Sequence, residues 1–397
     1  MEREQVWSLY GSHVNAGKIA AYDQLGLNVV MGQRSGIRFS DAYSDRSWIN
    51  CHCNGGLFNL GHRNPQVIAA VEESLLTVDI GNHHLPTPGR AELGQRLAAT
   101  TGNHLPGVVF GVSGGEAIDL AIKVTRAATG RTDVVSVEGG YHGHTGLALA
   151  AGDPQYRDPF GPNPPGWSQV PFNSIDAMRQ AVTRETAAVI LETVPATLGM
   201  PIPDSDYLPA IQQICEQHGA KLILDEVQTG LGRTGRIWGY QHFDVQPDVV
   251  VTAKALSGGI YPITATLMTR DLHSIFDDDP FLHISTLGGA EPGCAAALSV
   301  LDQIETPGFL ERVTELEVRF VAGLSGMPFE LRHLGLMMAL KFPAPGAAVM
   351  AMQLLYNEGL FALYANNDTS ALQFLPPLIV TDEEADEIIN IVRRTFA

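Results

Sequence analysis

The chain has 397 residues, 45% of them hydrophobic and 17% charged, a globular composition long enough for a large core and more than one domain. Its formal net charge of −18 repels phosphate backbones and anionic bilayers, so neither nucleic acid nor a membrane surface is an expected partner.

In chain order, the N-terminal segment is charged and polar, without the apolar stretch of a secretion signal. No run of about 18 apolar residues follows anywhere, so the expected location is cytoplasmic. Residues 37–60 alternate apolar and polar positions between turn residues and read as short strands. Cys51 and Cys53 flank His52 in this stretch. No second ligand pair with zinc spacing exists, and four cysteines are too few for a disulfide framework, so reduced thiols and no metal are expected. Residues 66–76 carry helical apolar spacing. From about residue 104 a strand–loop–helix pattern repeats. Apolar runs at 106–110, 187–191, 222–224 and 249–251 alternate with helical segments such as 116–129, which Gly130 closes. Continuous apolar strands between helices predict a mainly parallel α/β sheet. After a break near 305–309 the pattern mixes helices with strands, as in a smaller α+β domain. The expected division is an N-terminal segment 1–50 joining the small domain, a large domain 51–305, and a small domain 306–397.

The chemistry lies at strand ends, where open α/β sheets bind ligands. Leu222-Ile223-Leu224 runs into Asp225-Glu226, and Val249-Val250-Val251-Thr252-Ala253 runs into Lys254. These could be ordinary salt-bridge partners at a sheet rim. Yet the chain has five lysines against twenty arginines, and a lysine between an apolar strand and Ser257-Gly258-Gly259 is poorly placed for solubility alone. Partial desolvation lowers an amine's pKa and makes it a usable nucleophile. Ser113-Gly114-Gly115, between a strand and a helix, can be a tight turn or an anion cup at the helix N-terminus. A lysine for an aldehyde, a carboxylate for a ring nitrogen and a cup for one phosphate are together what pyridoxal phosphate requires.

Several motifs then carry a resemblance. Residues 222–235 (LILDEVQTGLGRTG) resemble the signature of class III pyridoxal-phosphate aminotransferases, and residues 254–262 (KALSGGIYP) look like those of ornithine aminotransferase and its relatives. Gly61-His62-Arg63-Asn64-Pro65, Ser113-Gly114-Gly115-Glu116-Ala117, Tyr141-His142-Gly143, Ser285-Thr286-Leu287-Gly288-Gly289 and Pro376-Pro377-Leu378 follow the same family in order. The resemblance implies fold type I: a large cofactor domain with a mainly parallel, seven-stranded-type sheet, a small α+β domain, and a homodimer. It implies that Lys254 is the Schiff-base lysine and proton shuttle, and that Asp225 holds the pyridine nitrogen protonated. Gln228 would stand beside the cofactor's phenolic oxygen, Tyr141 and His142 at its ring, and Gly114 and Gly115 at its phosphate. Thr286 would reach the neighbouring subunit's phosphate. Glu192 matches a family glutamate near the cofactor or serves as a salt-bridge partner.

The departures concern the substrate. Where ornithine-type relatives carry an arginine three residues after the ring-stacking aromatic, this chain has His144. Where they carry a second arginine before the Pro-Pro motif, with a glutamate five residues after the Glu192 equivalent, it has Gln373 and Thr197. Glutamine cannot replace the paired charge-assisted hydrogen bonds that arginine gives a carboxylate. His144 and Gln373 therefore become candidate substrate-site residues. The implied activity is amino transfer between an amine or amino acid and an aldehyde or ketone, on a biosynthetic intermediate not clamped by those arginines. Decarboxylation, racemisation, aminomutation or phospho-lysis on the same scaffold would need the same Lys254 and Asp225, and a catalytically dead binding protein is the remaining alternative.

Overall fold

The computed structural model describes residues 1–397. Its centre is a seven-stranded sheet. In spatial order the strands are Gly107–Gly111, Thr264–Met268, Val249–Thr252, Lys221–Asp225, Thr186–Glu192, Asp133–Val137 and Trp167–Val170. All run parallel except Thr264–Met268, which is antiparallel to both neighbours.

The unbroken apolar runs have a direct physical reason. Successive strand side chains point to opposite faces, and here both faces are covered. Val189, Leu191, Leu222, Leu224 and Val250 enter one core with Leu208 and Ile211 of the helix Tyr207–His218. Ala188, Ile190, Ile223, Val249 and Val251 enter the opposite core with Ile118, Ala121 and Ile122 of the helix Gly114–Thr129. Ser113 caps that helix by accepting from the Glu116 N–H, and Gly130 closes it at φ 66°.

A third core joins the two chain ends. Leu27, Ile37, Phe39 and Trp48 pack with residues spread from Val313 to Val392. The strands Met31–Ser35, Arg38–Asp41 and Ser47–Asn50 form a small sheet that Leu360–Phe361 extends in parallel. A separate antiparallel sheet holds, in order, Glu330–Leu334, Met337–Lys341, Asp368–Phe374 and Leu363–Ala365. No helix is long and apolar enough to cross a membrane.

The strand expectation for 37–60 holds only to Asn50. Residues 53–56 form a tight helical turn, because Cys53, Asn54, Gly55 and Gly56 all take positive φ (50°, 50°, 68° and 88°), which no strand allows. The residues near 305–309 link the helices Glu291–Ile304 and Phe309–Gly323.

Candidate active site

Three adjacent parallel strands end at the same edge of the sheet. Glu192 pairs in register with Asp225, Asp225 pairs with Val251, and Lys254 follows three residues later. The chain turns abruptly there. Lys254 has φ 31°, a strained value for a side-chain-bearing residue that persists only where the surroundings enforce it. The turn brings the ammonium into a cavity of about 390 Å³, where Nζ donates to Gln228 Oε1 (3.0 Å). Enclosure pulls the lysine pKa down, and Asp225 and Glu192 partly restore it. Desolvation of this kind leaves an amine easier to deprotonate.

Asp225 is oriented from two sides. Its Oδ2 accepts from His142 Nδ1 (2.9 Å) and its Oδ1 from the Val227 N–H (3.0 Å). Burial opposes a charged imidazole, but the hydrogen bond to Asp225 and the charges of Asp225 and Glu192 hold the His142 pKa above its ordinary value. His142 Nε2 is buried without a hydrogen-bond partner. Glu192 has no cationic partner within ion-pair distance. Its Oε1 accepts from the Tyr141 N–H (2.9 Å) and its Oε2 from the Ala196 N–H (3.1 Å). Burial pushes its carboxyl up to about 7, while His142 and the two amides pull the other way.

The opposite wall is the start of the helix Gly114–Thr129. Small residues are obligatory at this wall. A Cβ on Gly115 would stand 2.6 Å from Thr145 Oγ1, and one on Gly143 (φ 120°) would stand 2.8 Å from the Gly115 backbone. The amides of Gly114 and Gly115, ahead of the Glu116 N–H that Ser113 caps, favour an anion there.

Gly114, Gly115, Tyr141, His142, Glu192, Asp225, Gln228 and Lys254 thus all line one cavity. Tyr141 stands at its mouth, 40% exposed. Gln373 sits behind the lining, with its Oε1 3.5 Å from Gln228 Nε2. His144 lies outside, its ring tilted against those of Tyr141 and Tyr156 at centroid distances of 5.3 and 5.6 Å. Thr286 is exposed and does not line its own chain's cavity. Two residues were not anticipated. Gly55 passes so close to the lysine that a Cβ there would lie 2.9 Å from Nζ. His52 stands near Lys254, and burial, with a smaller push from the Lys254 charge, drops its pKa to about 3. The Asn54-Gly55-Gly56 run was the available signal for the first.

The amine, the buried aspartate facing the same cavity and the helix-start cup match the aldehyde, pyridine nitrogen and phosphate of pyridoxal phosphate. Comparison with known proteins agrees. Residues 21–396 match the family described as "Aminotransferase class-III". The chain is 45% identical over 392 residues to an uncharacterized aminotransferase of Archaeoglobus fulgidus, covering 97% of this chain and 92% of that protein. It is 35% identical over 360 residues to the putrescine aminotransferase of Pectobacterium atrosepticum, covering 86% and 77%. Among solved structures, it resembles the ornithine aminotransferase of Toxoplasma gondii described with partial occupancy of pyridoxal phosphate at its active site, at a TM-score of 0.85 and 25% identity over 93% of this chain and 90% of that one. The chain belongs to the class III aminotransferases, fold type I enzymes that use pyridoxal phosphate.

Proposed function

We propose that this enzyme takes its amino group from a primary amine with no free carboxylate on the reacting carbon and passes it to a carbonyl acceptor. One observation carries this reading: the cavity lining contributed by the chain contains no arginine. Gln373 and Thr197 stand where ornithine-type relatives carry their carboxylate-clamping pair. Gln373 is neutral and turned toward Gln228 and the Tyr364 carbonyl. Thr197 is held, with its Oγ1 donating to the Gly139 carbonyl (2.9 Å). An anionic α-carboxylate would meet Glu192 and Asp225 with no guanidinium to offset them. The relative named for putrescine, a diamine without carboxylates, supports the same reading.

When bound, the cofactor supplies an aldehyde to receive the amine and a cationic ring that withdraws electrons from the reacting carbon. Lys254 is assigned the amine that holds the aldehyde and afterwards moves the proton at the reacting carbon. Asp225, oriented by His142, would keep the cofactor's ring nitrogen protonated. Gln228 positions the Lys254 ammonium and would hold the cofactor's phenolic oxygen. Tyr141 and His142 would hold the cofactor's ring and Gly114 and Gly115 its phosphate, while Glu192 fixes the backbone of the Tyr141 loop. His144 braces Tyr141 from outside the cavity.

Thr286 is assigned to the phosphate of a second copy in a homodimer. Its exposure beside the exposed Phe281, Leu282, Ile284 and Leu287 supports a covering partner there. A large domain of residues 51–305, a small domain of 306–397 joined by 1–50, and a cytoplasmic location complete the proposal. The cores shared between the chain ends and the four free cysteines support these last assignments.

The test is a donor screen with Gln373→Arg alongside wild type. Wild type is expected to prefer aliphatic amines and diamines, and the variant to gain on glutamate. A wild type that binds glutamate tightly and uses it efficiently ends this reading.

A further inference from the structure

The hairpin joining Leu363–Ala365 to Asp368–Phe374 lies outside the cavity, and its tip is Asn366-Asn367. Asn367 makes four hydrogen bonds across to the large sheet's loops. Its Nδ2 donates to the Gly139 carbonyl (2.9 Å), and its backbone N–H donates to the Thr197 carbonyl (2.9 Å). Its Oδ1 accepts from Gln155 Nε2 (2.8 Å) and from the Tyr156 hydroxyl (2.9 Å). All four go to residues between 139 and 197. The side chain is therefore not spent on stabilising its own turn, the ordinary use of an asparagine at a hairpin tip.

What it grips is the start of the loop that carries Tyr141 and His142. The Gly139 carbonyl takes a second bond from Thr197 Oγ1, and the Gly139 N–H donates to Asp153 Oδ1 (2.9 Å). Gly139 has φ 76°, and a Cβ there would stand 2.6 Å from Leu198, so the peptide is held in a conformation only glycine takes easily. Two and three residues later come Tyr141 and His142, with the Tyr141 N–H fixed by Glu192. On the far side Tyr156 packs on His144 and His144 on Tyr141. One side chain on the hairpin thus bonds both to the loop's entry and to the tyrosine bracing its aromatic residue. The strand leaving the same hairpin ends in Phe374, next to Gln373 behind Gln228.

We propose that Asn367 is a positioning residue for the reaction. It locks the Gly139–His142 loop, and with it the cavity-facing surfaces of Tyr141 and His142, to the hairpin that also carries Gln373. Cofactor plane and substrate wall are then set by one rigid connection. The inference rests on Tyr141 and His142 facing the cofactor, as assigned above.

The experiment uses purified holoenzyme in five forms: wild type, Asn367→Ala, Asn367→Asp, Asn367→Gln and Tyr141→Ala. The readouts are the induced circular dichroism of the bound cofactor, the cofactor concentration for half-reconstitution, and kcat and KM for a diamine donor. Asn367→Asp keeps the acceptor for Gln155 and Tyr156 but replaces the donor to Gly139 with an oxygen facing a carbonyl, so it carries the test if Asn367→Ala does not fold. Asn367→Asp removes one side-chain hydrogen bond and Asn367→Ala removes three, and both variants are expected to need at least roughly 5–10-fold more cofactor, the effect of about one hydrogen bond's net worth at the site. Both are also expected to lose induced dichroism, with unchanged far-ultraviolet spectra. Rescue of the alanine variant's signal by Asn367→Gln would support the same role. Wild-type dichroism and cofactor affinity in Asn367→Asp overturn the proposal. If Tyr141→Ala alters the cofactor signal while the Asn367 variants do not, the clamp falls and the site assignment stands. If Tyr141→Ala alters nothing, both fall.

Discussion

Glu192→Gln separates two things the fold does with one carboxyl. Burial raises the Glu192 pKa from 4.5 to about 7, and its oxygens accept from the Tyr141 and Ala196 amides. A carboxyl whose folded pKa is raised binds its proton more tightly in the native state than in the unfolded one. Stability of the cofactor-free protein therefore falls as pH rises through the window from 4.5 to 7. Integrated between pH 5 and pH 8, that shift amounts to roughly 2–3 kcal/mol lost by wild type. The amide introduced by Glu192→Gln does not titrate, but it turns an NH2 group toward one of two buried N–H donors, a pH-independent loss of about 1–3 kcal/mol. The variant is thus expected to be less stable than wild type at pH 5 by about 2 kcal/mol, and to draw level or become slightly more stable at pH 8. Denaturant midpoints of both proteins, stripped of cofactor, at the two pH values measure this. A stability difference that is the same at pH 5 and pH 8 refutes the reasoning.

Two further substitutions probe the site's frame. Gly55→Ala places a methyl 2.9 Å from Lys254 Nζ at φ 68°, so the group that must yield is the amine assigned to the cofactor's aldehyde. The left-handed backbone costs only about 1 kcal/mol, so the variant should fold yet show at least about tenfold slower cofactor attachment, followed by absorbance. Wild-type attachment would remove Gly55 from the site. Arg233 is fully buried and spans Asn59 and the carbonyls of Leu336 and Pro376 with no carboxylate partner. Arg233→Met leaves those acceptors unpaired and is expected to cost about 3–5 kcal/mol by unfolding midpoint. A loss below about 1 kcal/mol would show that the acceptors find other partners.

The parts of the fold legible in the sequence are those in which local pattern and burial coincide. Leu222–Leu224 and Val249–Val251 read as central strands because both their faces are covered. Asp225 and Lys254 stood out because a charge ends each run. The antiparallel direction of Thr264–Met268 leaves no such mark, since a strand buried on both faces is apolar whichever way it runs. Residues 51–56 carry strand-like alternation, but four successive positive φ angles override it. The contact of Gly55 with Lys254 and the bond from Asn367 to Gly139 join segments about 200 residues or more apart. Such pairings follow from how distant segments pack in the folded chain, and no local pattern encodes them. The substitutions at 197 and 373 could be seen in the sequence. That Thr197 is bonded to the Gly139 loop and Gln373 turned toward Gln228 could not.

The most direct test of the account is a single-turnover half-reaction. Purified holoenzyme is mixed separately with an aliphatic α,ω-diamine and with glutamate while the cofactor absorbance is followed. The account predicts that the diamine converts the cofactor from its aldehyde to its amine form and releases one carbonyl product per site, with glutamate far slower. Conversion by glutamate alone, with the diamine leaving the spectrum unchanged, would contradict it.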